Sequence, residues 1–161
     1  MAILLLLLST GTVESDGLPA LEGEMVVFSF ETGDGRILAV CVGEDRGYLV
    51  YRFGTPGDVE LQYPEDPGPG SWDLFDYSWY FRARGPGGEG LDLHYLRFEN
   101  RDVAYTVYEE CWSPDSGPDQ TAAGVRVESE GKEMDIRGLP GSSTGTLSDL
   151  RWEYGDMWEE H

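Results

Sequence analysis

From Glu24 onward, apolar and polar positions alternate with a period of two rather than 3.6, which predicts strands with one face toward a core. Met25-Val26-Val27-Phe28-Ser29-Phe30 is the first such strand, and Thr32-Gly33-Asp34-Gly35 after it has hairpin-turn composition. Arg36 to Val42 follows, then a turn at Gly43 to Gly47. Tyr48–Phe53 and Asp58–Tyr63 read as the two arms of a hairpin around Gly54-Thr55-Pro56-Gly57, where proline fixes φ and the glycines permit the reversal. In the second arm Val59, Leu61 and Tyr63 alternate with Asp58, Glu60 and Gln62, as in a half-exposed strand.

Pro64 to Ser71 is a Pro/Gly/acidic loop leading into Leu74–Arg82, where Phe75, Tyr77, Trp79 and Phe81 fall on one face. That stripe is read as a core face, with an exposed stacking platform as the alternative. Beyond the glycine-rich Gly85–Gly90 loop lie predicted strands Leu91–Phe98 and Val103–Cys111, joined by Glu99-Asn100-Arg101-Asp102. Trp112 to Thr121 is a second long loop. Gly124–Glu128 and Glu133–Arg137 form a further hairpin, Thr146–Tyr154 is expected to be a last strand, and an acidic tail ends the chain. About ten short strands with no amphipathic helix predict an all-β, antiparallel fold in a single domain, either a barrel or a two-sheet sandwich. The expected layout is a truncated signal peptide and flexible lead-in over 1–22, the β domain over 23–154, and the tail over 155–161.

Charge narrows the partners. The chain carries 31 acidic and 11 basic residues, a formal charge of -20. Such a chain repels phosphate backbones and anionic headgroups, which argues against nucleic acid and membrane surfaces. The charge either serves solubility alone or steers toward a cationic protein. Ala2–Leu8 is far shorter than the ~20 apolar residues of a spanning helix. It has the size of a signal-peptide core, followed by the small residues Ser9, Thr10 and Gly11, although a basic leader is missing. A periplasmic or secreted location is therefore expected, with no membrane insertion of the mature domain.

The two cysteines, Cys41 and Cys111, are a candidate disulfide in an exported chain, with two separate buried thiols as the alternative. No CxxC or Cys/His cluster suggests zinc.

Tyr51-Arg52-Phe53-Gly54-Thr55-Pro56-Gly57 with Val59-Glu60-Leu61 resembles a family of small exported bacterial β-proteins of unknown function. The other matching pieces are Ser78 with Tyr80-Phe81-Arg82, the strand Gly124-Val125-Arg126-Val127, and Gly131-Lys132-Glu133. Together they span most of the chain from Glu24 to Leu150. The resemblance implies an address and a fold, without an activity. The family pattern places a cysteine just after the Gly-Lys-Glu strand. Arg137 occupies that neighbourhood in this chain, a departure from the family pattern, and Cys111 is the remaining candidate partner for Cys41.

Catalytic motifs are absent from the sequence. His161 ends the acidic tail, and His94 shares a face with Asp92, Leu96 and Phe98 without a second ligand at motif spacing. Adjacent carboxylates such as Glu109/Glu110 are expected in so acidic a chain. No cofactor is expected; the nearest option is Ca2+ held by Asp115 and Asp119, or by Glu65 and Asp66, without EF-hand spacing. Trp72 and Trp112, each read at a loop edge, and Arg52 are the candidate binding surface. The resulting expectation is an exported, non-enzymatic β-domain that binds a protein. The alternative is an inhibitor of a cationic hydrolase such as lysozyme, by analogy of fold class and charge. A carboxylate hydrolase is the third class, and it requires a cleft with a raised carboxyl.

Overall fold

Among the described residues the alternation resolves into ten antiparallel strands in two five-stranded sheets. The computed structural model describes Gly17 and residues 19–154. The first sheet contains β1 (Met25–Glu31), β2 (Ile37–Val42), β3 (Leu49–Thr55), β4 (Asp58–Tyr63) and the two-residue β10 (Thr144–Gly145), in the order β10-β1-β2-β3-β4. The second is a simple meander of β5 (Asp76–Arg82), β6 (Gly90–Asn100), β7 (Val103–Ser113), β8 (Gln120–Ser129) and β9 (Lys132–Arg137). Of the two architectures left open, the sandwich forms. A single bridge, Thr32 to Gly138, links the sheets on one side, and among the described residues β4 and β5 do not pair on the other.

The core lies between the sheets. Phe28, Leu38, Val40, Leu49 and Tyr51 meet Phe75, Leu96, Phe98, Val107 and Val125. Tyr63 stacks on Phe98, which in turn stacks on Tyr105, so a run of aromatic rings joins β4 to β6 and β7 through the core. All six residues of β2 are buried, as expected for a central strand covered on both faces. Its inner residues join the main core, while Ala39 and Cys41 on its outer face pack with Val50 and Ala20. Ala20 belongs to the lead-in that was expected to be flexible. The described part of that segment is a cover for the first sheet. Residues 1–16 and 155–161, which hold the expected signal peptide and tail, lie outside the described residues.

The Tyr51–Tyr63 hairpin forms as expected, with Thr55 opposite Asp58. Gly54 is required there: a Cβ would collide with the Asp58 carbonyl and the Glu60 amide.

Three expectations change. Thr146–Tyr154 is not a strand: only Thr144 and Gly145 pair with β1. The chain then turns through a 3-10 segment, Leu147–Leu150, and one helical turn, Arg151–Tyr154. Thr146 Oγ1 caps the segment by accepting the Ser148 amide at 3.1 Å, and the i, i+3 pair Leu147 and Leu150 is fully buried. Trp112 lies inside β7 rather than at a loop edge. Cys41 and Cys111 are free thiols, because Cys41 faces outward from the first sheet while Cys111 lies on β7 of the second.

The two sheets differ in length. β6 and β7 have 11 residues each, against six or seven in β1–β4. At about 3.4 Å per residue the second sheet therefore extends about 14 Å further. The aromatic stripe records this: Phe75 and Tyr77 are buried, Trp79 is half-buried, and Phe81 is 56% exposed.

Candidate functional site

The strand register of the second sheet places its chemistry-bearing residues in rows. The row Ser78, Tyr95, Tyr108, Gly124 and Arg137 crosses the outer face, the side turned away from the first sheet. Beside it runs Asp76, Arg97, Thr106, Arg126 and Asp135. On the other flank lie Tyr80, Leu93, Glu110 and Ala122, then Arg82, Leu91, Trp112 and Gln120. No described strand or helix is stacked on this face.

Its centre is a hydrogen-bonded layer of tyrosine and arginine. Tyr108 lies over Gly124, where a Cβ would collide with the Tyr108 hydroxyl and the Ile136 carbonyl. The Arg126 guanidinium sits 4.1 Å from the Tyr108 ring centroid, a cation–π contact. Arg126 also donates to Glu110 at 3.1 Å, and the Tyr95 hydroxyl donates to the same carboxylate at 3.0 Å. The Tyr108 hydroxyl donates to Asp135 at 2.8 Å. Burial, with Asp135 adding to it, pushes the Tyr108 phenol up to about 12, so it stays a neutral donor. The Trp112 indole N–H donates to Gln120 at 3.0 Å, fixing the ring at one end of the face.

At the opposite end the face meets a row of carboxylates. Glu128 is the direct cross-strand partner of Glu133, and Glu99 lies in the same row beyond Ala104. Like charges placed directly opposite are destabilising. Among the described residues none of the three joins an ion pair. A shallow depression of about 930 Å3 lies here, bordered by Arg97, Thr106, Arg126, Glu128 and Glu133.

The inner face of the same sheet carries a second polar group where it outruns the first sheet. His94 is buried between the Tyr77 hydroxyl (2.8 Å from Nδ1) and Asp92 (2.9 Å from Nε2). Glu109 is the cross-strand partner of His94, and Cys111 that of Asp92. Burial pushes the Glu109 carboxyl above the usual carboxylate range. Its Oε2 accepts the Leu147 amide at 2.7 Å and the Thr146 hydroxyl at 3.0 Å. Glu109 thus anchors the C-terminal turn across the end of the sandwich. The Cys111 thiol is pushed up by burial and by the carboxylates Asp119, Asp92 and Glu109, which leaves it protonated and a poor nucleophile. Glu109 and Cys111 border a depression of about 520 Å3 with Thr121, Arg137 and Ser143. The raised carboxyl that a hydrolase needs is present, and in this molecule it caps a turn. Among the described residues no three His, Cys, Asp or Glu side chains gather at metal-binding distance.

The residues singled out from sequence are scattered. Arg52 is not on a surface: its side chain is 2% exposed and bonded to Glu24, itself 1% exposed, at 2.5 and 2.9 Å. Arg52 also donates to Gln62 and to the Pro19 carbonyl, so it clamps the lead-in onto the first sheet. Trp72 is half-buried against Tyr154, and its indole N–H donates to the Arg46 carbonyl. Of the three, only Trp112 lies on the outer face of the second sheet. Tyr95, Tyr108, Glu110 and Arg126 were missed. The available signal was that β6 and β7 are aromatic on both faces although only one of those faces can reach the core.

No family model matches the chain, and neither does any curated protein or solved structure.

Proposed function

We propose that this protein is an exported, non-enzymatic binding module whose ligand is a cationic protein docking on the outer face of the second sheet. The observation that carries this reading is the juxtaposition on one uncovered face of a tyrosine–tryptophan–arginine layer and a row of unpaired carboxylates. Tyr, Trp and Arg are the residues that dominate binding energy at protein interfaces, and here they are held in place by their own hydrogen bonds. The Glu99, Glu128 and Glu133 row costs stability in the free protein, a cost that a partner's lysines or arginines would relieve. A net charge of -20 adds long-range steering toward such a partner. The apolar run Ala2–Leu8 and the resemblance to small exported proteins support the location. The non-enzymatic reading is supported by a histidine with both nitrogens engaged, a protonated thiol and a capping carboxyl.

The test uses lysozyme as the basic probe, with binding followed by interferometry at low salt. Trp112→Ala is expected to raise the dissociation rate, and the Glu128→Gln/Glu133→Gln pair to lower the association rate and its salt dependence. Absence of binding at low salt, or binding indifferent to all three substitutions, would overturn the reading. A bacterial-lysis turbidity assay on the same samples separates simple binding from inhibition of the hydrolase.

A further inference from the structure

The four sheet edges are not protected alike. β10 is two residues long. β4 places Asp58 and Glu60 along its length, and β9 reads Lys-Glu-Met-Asp-Ile-Arg. Shortness and charge are the usual guards against strand-to-strand pairing. β5, Asp-Tyr-Ser-Trp-Tyr-Phe-Arg, has charge only at its two ends, and Tyr80 and Phe81 are 43% and 56% exposed. Among the described residues it pairs with β6 on one side and with no strand on the other, so about half of its N–H and C=O groups point outward without a strand partner there.

We propose that β5 is a self-pairing strand through which two copies of this chain join antiparallel, about a two-fold axis at Trp79, into one continuous ten-stranded sheet. The strand's charges specify the occupant. Pairing about Trp79 sets Asp76 opposite the second copy's Arg82, and Arg82 opposite the second copy's Asp76, so both ends of the contact carry opposite charges. Ser78 meets the second copy's Tyr80 on the outer face. On the inner face Phe81 falls in register with the second copy's Tyr77, and Phe81 itself is 56% exposed in the single chain. The charged ends are available. Asp76 is in no ion pair among the described residues, and Arg82 donates only its Nε, to the Glu89 carbonyl at 2.9 Å. An isologous contact of this kind closes on itself and does not propagate into fibres, because each copy has one β5 edge. The dimer would set the two outer faces side by side. It is independent of what those faces bind.

The experiment is sedimentation velocity of the full chain from about 10 µM to about 1 mM, spanning the weak to moderate affinity range. A concentration-dependent dimer is expected, tighter at about 0.3 M salt than at low salt, because screening relieves the repulsion between two strongly acidic chains. Asp76→Arg and Arg82→Asp should each weaken the dimer about tenfold, since each reverses two symmetry-related cross-strand pairs. The double variant should restore it. Phe81→Lys, at an exposed position, should abolish the dimer with little change in the monomer's melting temperature, and it keeps the test open if a reversal at Asp76 impairs folding. A monomer at every concentration and salt overturns the proposal. A dimer that ignores Phe81→Lys, or single reversals without rescue in the double variant, overturns it equally. Lysozyme binding by a monomeric protein would leave the proposed function standing while removing this inference.

Discussion

Arg52→Met is expected to be among the most damaging single substitutions, although it removes only a positive charge from a chain that has few. Arg52 and Glu24 are both almost wholly buried, and between them they satisfy the Pro19 carbonyl, Gln62, the Tyr48 hydroxyl and the Leu21 amide. Removing the guanidinium leaves a carboxylate without its counter-charge in a dry layer, at a cost of about 3–5 kcal/mol. At roughly 2–4 °C per kcal/mol for a domain of this size, the melting temperature should fall by about 6–20 °C. The double variant Arg52→Met/Glu24→Met should recover most of that loss, because it removes both charges and leaves apolar volume behind. Urea unfolding of the native protein, Arg52→Met, Glu24→Met and the double variant gives the coupling energy directly.

The pH dependence supplies a second readout. Burial works against the Glu24 charge, but the hydrogen bonds from Arg52, Tyr48 and Leu21 outweigh it and hold the carboxyl below its ordinary range. A group lowered in the folded state contributes stability that is present above its unfolded pKa and lost as pH falls through the folded value. The native protein should therefore lose this contribution only in acid. In Arg52→Met, burial dominates, the carboxyl shifts upward, and stability should instead rise as pH falls toward 4. A loss below about 1 kcal/mol at pH 7, or parallel pH curves for the two proteins, would refute the claim that the pair is the clamp of the lead-in.

Glu109→Gln should stabilise the protein at pH 7 and flatten its pH dependence. The native carboxyl is raised, so its favourable contribution is full below the ordinary carboxylate pKa and is lost as pH rises through the folded value, whereas the amide oxygen can still accept the Leu147 amide. Glu109→Ala, which also removes the acceptor, should cost about 1–3 kcal/mol in the same urea titrations. Denatured, unreduced protein should titrate two thiols. In the native state Cys111 should react slowly with a thiol reagent and Cys41, whose thiol burial pushes up to about 12, should not react at all. Gly124→Ala should cost about 1–3 kcal/mol by displacing Tyr108, read as a lower melting temperature together with a change in the near-ultraviolet circular dichroism of the tyrosine layer.

Much of the fold was legible because alternation is a local signal. β1 to β7 follow the apolar period closely, and the Gly54–Gly57 turn is written in its residue types. The C-terminal turn was not legible, since Thr146–Tyr154 has β-type composition and its conformation is decided by distant groups. Glu109 lies nearly forty residues away in sequence, and it accepts the Leu147 amide that would otherwise lack a partner. Arg52 was misplaced for a related reason. A charged residue alternating within a strand reads as solvent-facing until a carboxylate from the residue just before β1 closes over it, and nothing local to β3 announces Glu24. The disulfide expectation counted cysteines, whereas pairing depends on which sheet and which face each one occupies.

The candidate surface was hidden by the rule that locates cores. Aromatic residues on a strand are normally assigned inward, yet β6 and β7 alternate His94, Leu96 and Phe98 with Leu93 and Tyr95, and Val107 with Tyr108. A strand with apolar groups on both faces is either central to a three-layer structure or exposes one of those faces. The chain decides between these by its connections: every link in the second sheet is a short turn or loop, so no segment between its strands is available to form a third layer. The first sheet shows the opposite outcome, because the lead-in reaches back to cover it and Arg52 and Glu24 fasten the cover. Among the described residues one outer face is thus closed by the chain itself and the other stays uncovered, and the arginines divide accordingly, with Arg52 sealed under the lead-in and Arg126 held on its tyrosine.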